Sequence, residues 1–243
     1  MRLLALVFAL TACAPSQGVV ALDPTVTPRP SDTAPAAVLA ALPHVVAVYV
    51  NATCDTLAEA EERGTGFWVN ATTVATAGHA MDVRTQMFPT FAVVGPDGCL
   101  EGRYADWYEH VDLLFVMVSG RHEGAVDLEK RAVEPGEALW QFVFQGRNDL
   151  DRSAIFAPMR VTSEKLKDGS KVFFGSRPAP APGDSGAPVF DASGRLVGMT
   201  QAIGSYEDDP AFGKIGVHLT SLVIRHYLSG CAGGGPCGDE AYP

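Results

Sequence analysis

Between residues 44 and 220 the chain is a succession of short apolar runs, each closed by Gly, Asp, Asn or Pro. They read "HVVAVYV", "GFWV", "TTVATA", "FAVVG", "DLLFVMV", "ALWQFVF", "IFAPMRVT", "KVFFG", "APVFD", "RLVGMTQAI" and "KIGVHL". Short runs rich in β-branched and aromatic residues, bounded by turn formers, are strands. Nearly a dozen of them at close spacing predict an all-β barrel or sandwich. One helix stands out, "TSLVIRHYL", near the end of the chain. Thr220 or Ser221 can cap its start, Leu222, Ile224 and Leu228 can share one side, and Gly230 can end it.

The N-terminus has another character. "MRLLALVFAL" is one Arg followed by eight apolar residues, the shape of a secretory signal and too short for a membrane span. The "LTAC" that closes it, residues 10–13, resembles the lipobox of bacterial lipoproteins, in which the cysteine is acylated and becomes the first mature residue. That resemblance implies a signal peptide over 1–12, a lipid on Cys13, and export to a bacterial cell envelope with membrane anchoring. An ordinary signal peptide cut nearby, with Cys13 incidental, is the alternative. Residues 14–43 carry six prolines and no apolar period, so 13–43 read as an extended Pro/Ala-rich tether. The packed domain is then expected over 44–230, followed by a Gly-rich tail over 231–243. The formal charge of −10 argues against a nucleic-acid partner, because phosphate binding needs a basic face.

Five cysteines are odd for an exported protein, but a lipid on Cys13 leaves an even set of four. The four allow three pairings. Cys231 and Cys237 lie six apart in a tail that closes on itself easily, and Cys54 would then pair with Cys99. The alternative is that one pair stays reduced. A zinc site at His226, Cys231 and Cys237 is the rival, and it lacks both a fourth ligand and the Cys-x-x-Cys spacing. No metal or cofactor is expected.

Chemistry concentrates in three places. "APGDSGAPVF", residues 181–190, sets Ser185 between two glycines; such a stretch suits a surface turn as well as a held hydroxyl. A serine nucleophile needs a base within hydrogen-bond reach. His79, in "TVATAGHAMD", sits where a strand ends and a short helical turn can begin, although a structural histidine would also fit there. His44, His110, His122, His218 and His226 have no comparable setting and read as structural. The base in turn needs a carboxylate to fix its tautomer. Asp112 opens the apolar run "DLLFVMV", where an ionised group is costly to bury alone, whereas Asp97 and Asp106 lie in more polar surroundings.

Taken together, the order His79, Asp112, Ser185 on a many-stranded chain resembles the chymotrypsin-like (trypsin-like) serine proteases. The resemblance is nearest to their bacterial HtrA-type branch. "GTGFWVN…TVATAGHA", "VDLLFVMV", "GDSGAPVFDASGRLVGMTQAI" and "KIGVHLTSLVIRHYL" carry it, over roughly residues 44–229. It implies two six-stranded antiparallel β-barrels with a C-terminal helix and an active site in the cleft between them. It also implies Ser185 as nucleophile, His79 as general base and acid, and Asp112 as its orienter. Gly183 and Ser185 would donate backbone N–H groups to the oxyanion. The position that is acidic in trypsin-like members that cleave after Lys or Arg, six before the nucleophile, is Ala179 here. With Ala202 and Ile203 as pocket wall, a small or medium apolar P1 side chain is expected in a protein or peptide substrate.

The chain departs from that pattern in three ways. Ala187 replaces the usual second glycine, no activation cut site precedes the first strand, and the peptide-binding PDZ domain of many HtrA-type proteins is not expected. An α/β-hydrolase is a poor fit, because its histidine comes last and its nucleophile leads into a helix. A non-catalytic, membrane-anchored binding protein on a protease scaffold is the alternative function.

Overall fold

The computed structural model describes residues 34–57, 60, 63–81, 89–96, 98–145, 153–161, 172–177, 179, 184–205 and 214–231. Within them the chain forms twelve strands and two α-helices. Strands β1 (Val45–Val50), β2 (Arg63–Asn70), β3 (Thr73–Ala77), β4 (Thr90–Gly95), β5 (Gly98–Tyr108) and β6 (Leu113–Val118) come first. They close a barrel in the order β1-β2-β3-β6-β5-β4. A second barrel, β10-β11-β12-β9-β8-β7, uses β7 (Ala138–Gln145), β8 (Ser153–Val161), β9 (Phe173–Arg177), β10 (Pro188–Phe190), β11 (Leu196–Ser205) and β12 (Lys214–Thr220). Every strand pairing is antiparallel. The expected all-β architecture of two six-stranded barrels with a C-terminal helix is the one observed.

The pleat explains why the runs are so apolar. On β6, Leu114, Val116 and Val118 point into the first barrel, against Val46, Val48, Trp68, Phe91 and Val93. The alternating Leu113 and Phe115 point the other way, into a second core shared with Phe142, Phe190, Leu196, Met199, Val223 and Ile224. Successive side chains of a strand take opposite faces, so a strand buried on both sides reads as unbroken apolar sequence. That shared core glues the barrels together. Truncating Phe115 in it would cost about 3–5 kcal/mol.

Three elements differ from expectation. Packed structure begins before residue 44: helix α1 (Ala36–Leu39) and a 3₁₀ turn at Leu42–His44 occupy the end of the predicted tether. Val38 and Ala41 are buried in the shared core, and a Cβ at Gly194 in the β10–β11 turn would meet the Ala37 carbonyl at 2.3 Å. Small alanines on one side and a glycine on the other permit that approach. Strand β5 was not expected, because its charged residues hide any apolar alternation. Helix α2 (Ser221–Cys231) runs past Gly230, and it buries Val223, Ile224 and Tyr227 while Leu222 and Leu228 are only half-buried. Its first-turn Ser221 donates to the Glu129 carbonyl at 3.0 Å.

The crossing between barrels, residues 119–137, is pinned at both ends. Val126 N–H donates to the Trp68 carbonyl at 2.9 Å, and Leu128 forms a parallel bridge with Leu196. Arg131 donates to both carboxylate oxygens of Glu137, at 2.9 and 2.5 Å, and lies 3.7 Å from Asp191. The Arg131 guanidinium holds the Glu137 carboxyl below its ordinary range. The predicted disulfide joins Cys54, in the loop after β1, to Cys99 on β5, with Cα atoms 5.7 Å apart. Cys237 and Cys13 lie outside the described residues.

Candidate active site

His79 lies in the 3₁₀ turn Gly78–Met81 that ends β3 of the first barrel. Asp112 follows the 3₁₀ turn Glu109–Val111 and precedes β6. Because β3 and β6 pair antiparallel, with Ala77 opposite Leu113, the two turns emerge side by side. The register thus brings together residues 33 apart in sequence. Asp112 adopts the left-handed conformation, φ 55° and ψ 38°, which an aspartate tolerates better than most residues. This turns its carboxylate back onto His79. Oδ1 accepts the His79 backbone N–H at 2.8 Å, and Oδ2 makes a short hydrogen bond with His79 Nδ1.

Ser185 comes from the second barrel. His79 Nε2 and Ser185 Oγ lie 2.8 Å apart. A carboxylate only accepts, so Nδ1 carries the hydrogen and Nε2 is left as acceptor for the serine hydroxyl. The Asp112 and His79 side chains are 26 % and 31 % exposed, open enough for a substrate to reach.

The turn that holds Ser185 is fixed from both barrels. Gly186 has φ +82°, and a Cβ there would stand 2.0 Å from the Thr65 carbonyl, so only glycine fits. Its N–H donates to the Thr200 carbonyl at 2.9 Å, and Ala187 N–H donates to Asp184. Across the interface Thr65 N–H donates to the Ser185 carbonyl at 3.2 Å, while Thr76 Oγ1 donates to the Thr65 carbonyl at 2.7 Å. Ala187 is fully buried and is not among the residues with positive φ, so the missing second glycine leaves no strain.

Behind this turn lies a buried polar group. His218, on β12, contacts Ser176 Oγ at 2.6 Å and Thr200 Oγ1 at 3.2 Å, and stacks on Phe174. Burial pushes its imidazole down to about 3, so it is neutral and serves as a hydrogen-bonding strut. His44, next to His122 at 2.9 Å, is also lowered, by burial first and by His122 second.

Of the other expected site residues, Gly183 lies outside the described residues. Ala179 is half-buried, Ala202 is exposed on β11 opposite Val217, and Ile203 pairs with Gly216. Among the described residues no three His, Cys, Asp or Glu side chains gather as a metal-ligand set. The sequence does not signal Thr65 and Gln201, whose contacts with Ser185 and Asp112 only the barrel interface creates. Nor does it signal Thr76, whose hydroxyl holds the Thr65 carbonyl within the first barrel.

Residues 64–199, more than half of the chain, match the trypsin-like peptidase domain family. The chain belongs to that family. No curated protein matches it by sequence. Among solved structures it is similar to the Rv3671c protease from M. tuberculosis in its active form, with TM-score 0.62 and 19 % identity, over 85 % of this chain and 88 % of that one. The inactive form of Rv3671c aligns at TM-score 0.59 and 18 % identity, over 80 % of this chain and 91 % of that one. The serine endoprotease from Yersinia pestis gives TM-score 0.61 and 17 % identity, over 79 % of this chain and 64 % of that one. At such identities these likenesses establish the fold.

Proposed function

We propose that this trypsin-like domain is a serine endopeptidase that cleaves proteins or peptides through Ser185, His79 and Asp112. The observation that carries the reading is the continuous hydrogen-bonded line from Asp112 Oδ2 through His79 to Ser185 Oγ. Along that line Ser185 Oγ attacks the scissile carbonyl carbon while its proton passes to His79 Nε2. Asp112 stabilises the resulting imidazolium. His79 then gives the proton to the leaving amine as the C–N bond breaks, which leaves an acyl group on Ser185. Water, activated by the same Nε2, attacks the acyl carbon and returns the hydroxyl to Ser185. Backbone N–H groups of Gly183 and Ser185 would receive the oxyanion, each worth on the order of 3 kcal/mol.

An apolar P1 residue fits Ala179, where trypsin-like enzymes that cleave after Lys or Arg carry an acid. The lipobox-like "LTAC" supports an envelope lipoprotein anchored through Cys13. The kinship with HtrA-type enzymes rests on the same strand-and-turn motifs. Fluorophosphonate labelling tests the catalytic reading directly. Wild-type protein is expected to label at Ser185 and to digest casein. A folded protein that neither labels nor cleaves would instead favour a binding role on this scaffold.

A further inference from the structure

Gln201 stands at an irregular point of β11. Thr200 pairs with His218 and Ala202 with Val217, so Gln201 is the extra residue of a β-bulge. A bulge leaves one residue out of the ladder and re-aims its side chain. Here the side chain leaves the second barrel and crosses to the first. Its Nε2 donates to the backbone carbonyl of Asp112 at 3.3 Å. Gly78 N–H donates to the same carbonyl at 3.1 Å.

Gln201 is only 5 % exposed, and its Oε1 has no hydrogen-bond partner among the described residues. A buried amide oxygen left without a partner is destabilising. A leucine or methionine would fill the space without that cost, so packing alone does not account for the amide. Flipping it would set Oε1 against the Asp112 carbonyl, so the donor end is fixed by the contact it makes.

The place of the contact gives it meaning. Asp112 and His79 belong to the first barrel and Ser185 to the second, so their alignment depends on how the barrels register. On the serine side, the register is held by Thr65 N–H on the Ser185 carbonyl. On the aspartate side Gln201 makes the matching strut, and it grips a residue whose backbone is left-handed. We propose that Gln201 is a positioning residue that holds Asp112 in register with Ser185 across the barrel interface. This rests on the peptidase reading for its effect on turnover, but not for its effect on geometry.

The test uses full-length protein carrying Gln201→Leu, with Gln201→Met as a second, unbranched replacement should leucine fail to fold. Circular dichroism and thermal melting establish that each variant is folded. The downfield proton resonance of His79 Nδ1–H reports the hydrogen bond to Asp112 whether or not the protein turns over substrate. It is expected to move upfield and broaden in both variants. Turnover of a peptide with an apolar P1 residue is expected to fall about 10- to 100-fold in kcat, with KM nearly unchanged, the signature of misplaced reacting groups. A folded variant with an unaltered His79 resonance would overturn the proposal. Failure of wild-type Ser185 to take the fluorophosphonate would count against the peptidase reading alone, and the resonance would still decide the strut.

Discussion

The ring of His110 and the hydroxyl of Tyr227 meet at 2.5 Å, which ties helix α2 to the 3₁₀ turn that presents Asp112. Tyr227 also packs on Tyr108 with ring centroids 4.1 Å apart, so the helix end buttresses the aspartate loop by both packing and polarity. Tyr227→Phe keeps the ring and removes the hydrogen bond, and is expected to cost about 1 kcal/mol. Tyr227→Ala empties part of the shared core and should cost about 3–5 kcal/mol, on the scale of other aromatic truncations. Urea unfolding of the two variants measures the difference. Equal losses would mean that the hydroxyl, and not the ring, carries the contact.

Ser185→Ala removes the attacking oxygen but leaves the turn intact. Peptidase activity should fall by several decades with the melting temperature almost unchanged. Gly186→Ala should lose activity for a different reason, because its Cβ has no room beside the Thr65 carbonyl. That variant is expected to melt lower than Ser185→Ala. A Gly186→Ala protein with wild-type stability and activity would show that the interface yields more readily than the 2.0 Å approach implies.

Much of the candidate site is legible in the amino-acid sequence, and for a physical reason. His79, Asp112 and Ser185 each sit at a strand end, where local sequence signals the turn that exposes them. What stays hidden depends on partners remote in sequence. "GCLEGRYADWY" becomes β5 because β4 and β6 flank it, not because its own residues alternate. The Ala/Pro-rich stretch that becomes α1 has no apolar stripe of its own; Gly194 and the shared core give Val38 a place to go. Gln201 is an ordinary polar residue in a strand until the bulge turns it toward Asp112.

Stability should fall as the solution is acidified from pH 7, because of His218. Its pKa is depressed from 6.5 in the unfolded chain to about 3 in the folded protein. Above the unfolded value neither state binds the proton, and the full stability is present. As pH drops below 6.5 the unfolded chain takes up a proton that the folded chain refuses. The loss reaches about 2 kcal/mol by pH 5 and continues toward the folded value. His44, lowered by burial and by His122, acts with the same sign. Urea midpoints for wild type and His218→Gln between pH 7.5 and 5 check this. The slope with pH should be shallower in the variant, and identical slopes would remove His218 as the cause.

The Cys54–Cys99 bond closes an interval of 45 residues that contains β2, β3 and the His79 turn. In the chain-entropy model, cross-linking a loop of that length restricts the unfolded chain by about 4 kcal/mol. Cys99→Ser should therefore lower unfolding stability by up to that amount. Its effect on kcat should be smaller, because the bond joins the loop after β1 to β5, outside the turns that carry His79, Asp112 and Ser185. Only the unfolded chain gains freedom in that account, so reduction of wild-type protein should reproduce the loss without altering the folded site. Non-reducing peptide mapping is the companion measurement. It should yield one cross-linked peptide holding Cys54 and Cys99, and a second joining Cys231 to Cys237, as expected for the Gly-rich tail. A peptide linking Cys54 to Cys231 or Cys237 would contradict both pairings at once, and with them the stabilisation assigned to the first barrel.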